Sequence, residues 1–130
     1  NAGNQNYSTI YVGAFSGVQT SGAFDQQNGA GANATTLATG AVVPTTNNQL
    51  IITQLAFNSS GTPVSIDSGF TELGPEINFK ASTFYGGQMA YLIQTTAASV
   101  NPTWTRTNTN VLTTRIATFK AKVAGGFFNI

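Results

Sequence analysis

No stretch of this chain repeats its apolar residues every three to four positions, and that removes a helical core from consideration at the outset. Apolar residues instead alternate, or come in short runs rich in Thr, Val, Ile and aromatics that stop at Gly, Pro, Asn or Asp. Side chains on an extended strand point to opposite faces in turn, so the pattern predicts strands and turns throughout. A first strand is expected over residues 8–15, where Ile10, Val12 and Ala14 alternate with Tyr11, Gly13 and Phe15. A Gly/Gln/Asn-rich loop is expected over 16–34, then a Thr-rich strand over 35–43 that stops at Pro44. Asn47-Asn48 turns the chain into 49–57, which is apolar on both parities and therefore expected in the middle of a sheet. Short strands follow at 64–66 and 69–73 around Asp67-Ser68-Gly69, and Gly74-Pro75 breaks the chain again. The remaining strands are expected over 81–85 and 88–94 around Gly86-Gly87, over 103–107 with the only Trp, and over 111–121. Eight or nine short strands and no useful helix predict an all-β fold, a two-sheet antiparallel β-sandwich of jelly-roll type.

A chain of 130 residues suits one domain and can bury roughly two-thirds of the surface it exposes when unfolded. It contains no Cys, so the core must hold the fold without disulfides. Only 7% of residues are charged, against about 25% in an average soluble domain, and the net charge is +1. With 41% hydrophobic residues the chain still folds, but behind a neutral surface of hydroxyls and amides. Such a surface repels its own copies weakly and favours association, as in extracellular or assembled proteins. The five basic residues are scattered and form no patch fit for a phosphate backbone, which argues against nucleic-acid binding. No apolar run is long enough to cross a bilayer as a helix, so no membrane insertion is expected. The chain opens on Asn1 without a charged or apolar leader, and is expected to be a processed form or an excised piece.

Chemistry is restricted further by the absence of His and Cys. Neither a Ser-His-Asp nor a Cys-His nucleophile can be built, nor an imidazole or thiolate metal site. The carboxylates are Asp25, Asp67, Glu72 and Glu76. Glu72 with Glu76 is formally a glycosidase pair, set against the plainer reading of solvated loop charges beside Gly74-Pro75. Asp25 or Asp67 with loop carbonyls could hold Ca²⁺, set against a simple turn at Asp67-Ser68-Gly69. The expectation is a protein that is not an enzyme, with no catalytic residue, no cofactor and no metal.

Flat aromatic faces stack on sugar rings, and Trp104, Tyr85, Tyr91, Phe84 and Tyr11 raise that option. Trp104 and Tyr85 are the candidate glycan-stacking residues, the alternative being that strand aromatics form core. Sequons at Asn6, Asn33 and Asn58 mark candidate glycosylation positions, in a number that composition alone would produce.

The opening segment 9–15 can be laid over 113–119, with Val12 on Ile116, Gly13 on Ala117, Ala14 on Thr118 and Phe15 on Phe119. A domain whose first strand repeats its last has one strand too many. Gly17-Val18, Phe24-Asp25, Asn48-Gln-Leu-Ile-Ile52, Gly69-Phe-Thr71, Met89-Ala-Tyr91, Asn101-Pro-Thr-Trp-Thr105 and Arg115-Ile-Ala-Thr-Phe-Lys120 carry a wider likeness. In their order and spacing the chain resembles bacterial and phage extracellular β-sandwich modules. That resemblance implies a jelly-roll-like sandwich in surface, fibre or virion proteins, and supplies no catalytic residues.

The surplus front strand is similar in arrangement to donor-strand pilus subunits. The expected organisation is a donor segment over 1–15, a linker over 16–34 and a β-sandwich domain over 35–130. Ile10, Tyr11, Val12, Ala14 and Phe15 would form the donor strand, with Ile10, Val12 and Ala14 entering a groove in the next copy. The apolar tail residues Phe127, Phe128 and Ile130 would pack on the domain or on a neighbour. The expected function is a structural subunit of an extracellular filament, a helical head-to-tail homopolymer. The alternatives are a carbohydrate-binding module and a virion surface protein, with glycans as the further partner.

Overall fold

The computed structural model of the chain describes residues 10–58, 64–80 and 84–123. They form strands β1 (Phe24–Ala38), β2 (Gln49–Phe57), β3 (Val64–Ile66), β4 (Thr71–Glu72), β5 (Ile77–Lys80), β6 (Phe84–Gln94) and β7 (Thr103–Phe119), with no helix among the described residues. All seven strands belong to one antiparallel sheet in the order β1-β7-β2-β6-β4, with β3 attached to β7 and β5 to β6. Asn6, Phe127, Phe128 and Ile130 lie outside the described residues.

The organising element is β7. β1 pairs with it from Phe24↔Phe119 to Ala38↔Thr103. On its other side β2 covers Leu112 to Phe119, and β3 then covers Trp104 to Arg106. β2 ends opposite Leu112 and β3 begins opposite Arg106, and between these levels of β7 the pairing of β1 carries an irregularity, between Ala34 and Thr36. A bulge bends a strand and increases its twist, so the sheet turns over at this level. It thereby covers its own inner face. Trp104, Leu112 and Ile116 of β7 are buried there with Ile51, Leu55 and Phe57 of β2. Leu37, Val42, Val64, Phe70, Ala90 and Val100 complete the core. Val42 and Val100 exchange a pair of backbone hydrogen bonds at 2.9 Å, extending the β1–β7 ladder past the ends of both strands.

Four expectations are corrected. The fold is all-β, but its strands form a single hydrogen-bonded sheet rather than two sheets of a sandwich. The expected strands at 103–107 and 111–121 are one 17-residue strand running through both halves, so the halves share strands. The Gly/Gln/Asn-rich stretch expected as a linker over 16–34 contains most of β1, because β7 offers it a complete ladder partner. Finally, the described part of the expected first strand, residues 10–15, has no ladder partner among the described residues. Its alternation is satisfied by lying extended on a face of the sheet.

Candidate interaction surface

Because side chains alternate, β2 buries Gln49, Ile51, Thr53, Leu55 and Phe57 and turns Leu50, Ile52 and Gln54 to the outer face. Register sets Leu50 between Ile93 and Phe119, and Ile52 between Tyr91 and Ala117. The outer face of β6, β2 and β7 is therefore an apolar strip. Phe24 of β1 extends it, its ring edge-on to Phe119 at 6.4 Å.

Residues 10–15 form an arm along this strip. An added Cβ on Gly87 would stand 3.8 Å from the Tyr11 ring, and one on Gly13 would stand 3.6 Å from Met89 Sδ. The Phe15 ring lies 5.4 Å from that of Tyr91. Tyr11, Gly13 and Phe15 thus sit in turn over Gly87, Met89 and Tyr91, and the arm tracks β6. The Tyr11 hydroxyl donates to the Pro75 carbonyl at 2.6 Å and also reaches Gln88 Oε1 at 3.1 Å. Ile10 and Val12 point the other way and are 78% and 88% exposed. Past Phe15, Gly17 adopts a φ of +83° and the chain turns to meet the end of β7, where Val18 bridges Ala121. An apolar groove of about 200 Å³ opens between Phe15, Val18, Leu50, Ile93 and Ala121.

At the far side of the sheet β1 is an edge strand. Between the irregularities at Phe24/Gln26 and Ala34/Thr36 it runs regularly from Gln26 to Ala34 and contains no Lys, Arg or Pro. Its one charge, Asp25, is turned inward with a side chain 4% exposed. Asp25 accepts from the Thr45 N–H (2.8 Å), the Thr45 hydroxyl (2.6 Å) and Gln49 Nε2 (2.7 Å), with Lys120 Nζ at 3.6 Å. Burial alone would raise this carboxyl, but the Thr45 and Gln49 hydrogen bonds and the Lys120 charge outweigh it and hold the pKa at about 2. Asn28 Nδ2 donates to the Ala41 carbonyl at 2.8 Å, tying the same edge to the segment after β1.

The other candidate residues are scattered. Trp104 is corrected as a stacking platform: it is fully buried and its indole N–H donates to Thr53 Oγ1 at 3.1 Å. Tyr85 is half-buried on β6, opposite Phe79 of β5. Glu72 is exposed on β4, whereas Glu76 faces Arg106 Nη1 at 3.3 Å, so each of the two has a different environment. Asp67 Oδ1 accepts from the Thr103 N–H and the Ser68 hydroxyl, which makes it a turn residue. Asn33 is exposed on β1, and Asn58, also exposed, accepts from the Val111 N–H at 3.2 Å.

Arg106 is a feature the sequence reading passed over. Its side chain is fully buried, and its guanidinium carbon stands 3.6 Å above the centre of the Phe57 ring. Nε and Nη2 have no hydrogen-bond partner among the described residues. The signal was available, since Arg106 has the same strand parity as Trp104 and must share its inward face.

Fold and surface together define an all-β protein whose distinguishing surfaces are an apolar outer face with its own arm and an edge strand that carries no Lys, Arg or Pro of its own. No family model, curated protein or solved structure matches the chain.

Proposed function

We propose that the protein is a structural subunit of an extracellular filament, with copies joined head-to-tail through the N-terminal arm. The observation that carries this reading is the arm's division into two faces. Tyr11 and Phe15 hold it to the sheet, while Ile10 and Val12 offer β-branched apolar surface to solvent at 78% and 88% exposure. The arm's seat lies on a sheet face, so the transfer between copies is an exchange of seats rather than the addition of a strand. Tyr11, Gly13 and Phe15 of one copy occupy the positions over Gly87, Met89 and Tyr91 of the next. Gly17, already at positive φ, is the hinge, because the chain beyond it is tied to β7 through Lys122 N–H to Gly17 O and Gln19 N–H to Lys120 O. A seat passed on at each step gives an open chain rather than a closed ring, unless the rotation happens to close.

A non-catalytic role is supported by the lack of His and Cys and by the internal use of Asp25, Asp67 and Glu76. The neutral, amide- and hydroxyl-rich composition supports an extracellular setting. The test uses the absence of native cysteine. In Gly13→Cys/Met89→Cys protein, oxidation of the assembled form should give covalent ladders of subunits. Only intramolecular disulfides within a fully assembled filament would sink the exchange. Deleting residues 1–15 should leave a folded chain that does not assemble.

A further inference from the structure

The geometry points to the arm's seat as a sequence reader: it accepts an extended Tyr-x-Gly-x-Phe segment from a second copy, and Gln88 selects the tyrosine hydroxyl. This rests on the exchange of seats proposed above and adds what the seat discriminates. At the first position, Gln88 is 1% exposed and its Nε2 donates to the Gly74 carbonyl at 3.0 Å. With Nε2 committed to a carbonyl, the amide turns Oε1 to the arm, and that atom can only accept. The Pro75 carbonyl beside it is a second acceptor. A hydroxyl supplies the donor that both need, and Tyr11 Oη lies 2.6 Å from Pro75 O and 3.1 Å from Gln88 Oε1. Phe at this position would leave the buried Oε1 without its donor, and a site built around a hydroxyl rejects the analogue that lacks it.

At the second position Gly13 does not use a left-handed backbone, so space rather than conformation asks for glycine. An added Cβ would stand 3.2 Å from Phe15 Cε2, 3.5 Å from Leu73 Cδ1 and 3.6 Å from Met89 Sδ. A methyl group is barely admitted there, and a branched side chain would have to displace that wall. At the third position the Phe15 ring is tilted 60° against Tyr91 with centroids 5.4 Å apart, an arrangement that aromatic pairs prefer. Val12 and Ala14, between these positions, are exposed and left unread. The occupant follows from the sequence, because the Tyr-x-Gly-x-Phe spacing occurs once in the 130 residues, at 11–15. The one segment of this chain that the seat accepts is therefore the arm, its own or a second copy's. Any unlike subunit joining the same assembly would have to carry the same spacing.

The full-length chain carrying Tyr11→Ala and Phe15→Ala, whose own arm has lost its anchors, tests this with a labelled synthetic peptide of residues 9–15. The peptide should bind in fluorescence anisotropy, and the same residues in scrambled order should not. Phe in place of Tyr11 in the peptide should weaken binding about tenfold, the effect of a buried acceptor left without its donor. Val in place of Gly13, or Ala in place of Phe15, should weaken it at least as much. Gln88→Leu in the same chain should shrink the Tyr-to-Phe ratio, whereas mere loosening of the seat would lower both affinities alike. The wild-type chain, whose own arm competes, should rank the peptides in the same order at uniformly lower affinity, so the ranking does not depend on the variant's folding. Equal binding of the Tyr and Phe peptides, equal binding of the Gly and Val peptides, an unchanged ratio in Gln88→Leu, or no binding by either chain overturns the proposal. Covalent ladders through Gly13 and Met89 without this ranking would keep the exchange and overturn the reader. The ranking without ladders would keep the reader and overturn the filament.

Discussion

The indole N–H of Trp104 donates to Thr53 Oγ1 at 3.1 Å in the middle of the core, and the Thr53 hydroxyl donates onward to the Arg115 carbonyl at 2.9 Å. Both side chains are essentially fully buried. A buried donor deprived of its acceptor costs its full desolvation. Thr53→Val, of similar size but without the hydroxyl, should destabilise the protein by about 1–3 kcal/mol, and Thr53→Ser by less. Urea unfolding followed by fluorescence reads this directly, because Trp104 is the only Trp.

Arg106 and Glu76 form the one ion pair that reaches the core among the described residues. A buried charge that loses its partner costs more than the pair contributes. Glu76→Gln should therefore lower stability by about 3 kcal/mol. Arg106→Met, which keeps bulk over Phe57 and removes the two unpartnered N–H positions, should stay within about 1 kcal/mol of wild type or exceed it. In the Arg106→Met background, Glu76→Gln should be close to neutral. A double-mutant cycle by chemical denaturation measures all three.

Asp25 makes stability depend on acid pH with a definite sign. Its folded pKa of about 2 is below the ordinary 3.8, so the native state favours the ionised form. That contribution is complete above about pH 4 and is lost as pH falls toward 2. Asp25→Asn should lower the midpoint of thermal unfolding at pH 7 and flatten the decline between about pH 4 and 2. A mutant whose acid limb superimposes on that of wild type excludes Asp25 as its source.

Two glycines of β1 should respond oppositely to the same change. A Cβ on Gly29 would stand 2.7 Å from Thr114 O and 2.6 Å from Arg115 Cδ, so Gly29→Ala must force β1 away from β7 at about 1–3 kcal/mol. Gly31 has ordinary contact distances, and Gly31→Ala should be neutral or stabilise by about 0.5 kcal/mol through the unfolded chain. Paired denaturation curves settle the contrast.

Where side-chain alternation coincided with a buried face, the fold was legible residue by residue. β2 and β3 occupy 49–57 and 64–66 as read, because Leu50 to Phe57 can be apolar on both parities only between neighbouring strands. β1 was hidden because Gly, Gln, Asn and Ala have low strand propensity, and only pairing with β7 overrides it. The union of 103–107 with 111–121 was hidden because Thr-Asn-Thr-Asn110 reads as a turn by composition and exposes Thr107, Asn108 and Thr109 in a row, yet Asn110 is buried in phase with Arg106 and Leu112. At the arm, alternation identified an extended chain and its two faces correctly but not its partner. Period two reports extension, and a face-packed arm produces it as well as a ladder does. Trp104 and Arg106 share one parity on one strand. The ring could be read as core or surface from sequence, and the cation beside it settles nothing until Glu76 is brought in from 30 residues away.

β7 binds β1, β2 and β3, and β2 in turn brings in β6. During translation, β2, β4, β5 and β6 pair among themselves, whereas β1 and β3 have β7 as their one ladder partner among the described residues and wait for Thr103–Phe119. Pairings of such long sequence separation close slowly. The nascent polypeptide thus carries its first long strand unpaired until its last one has been made.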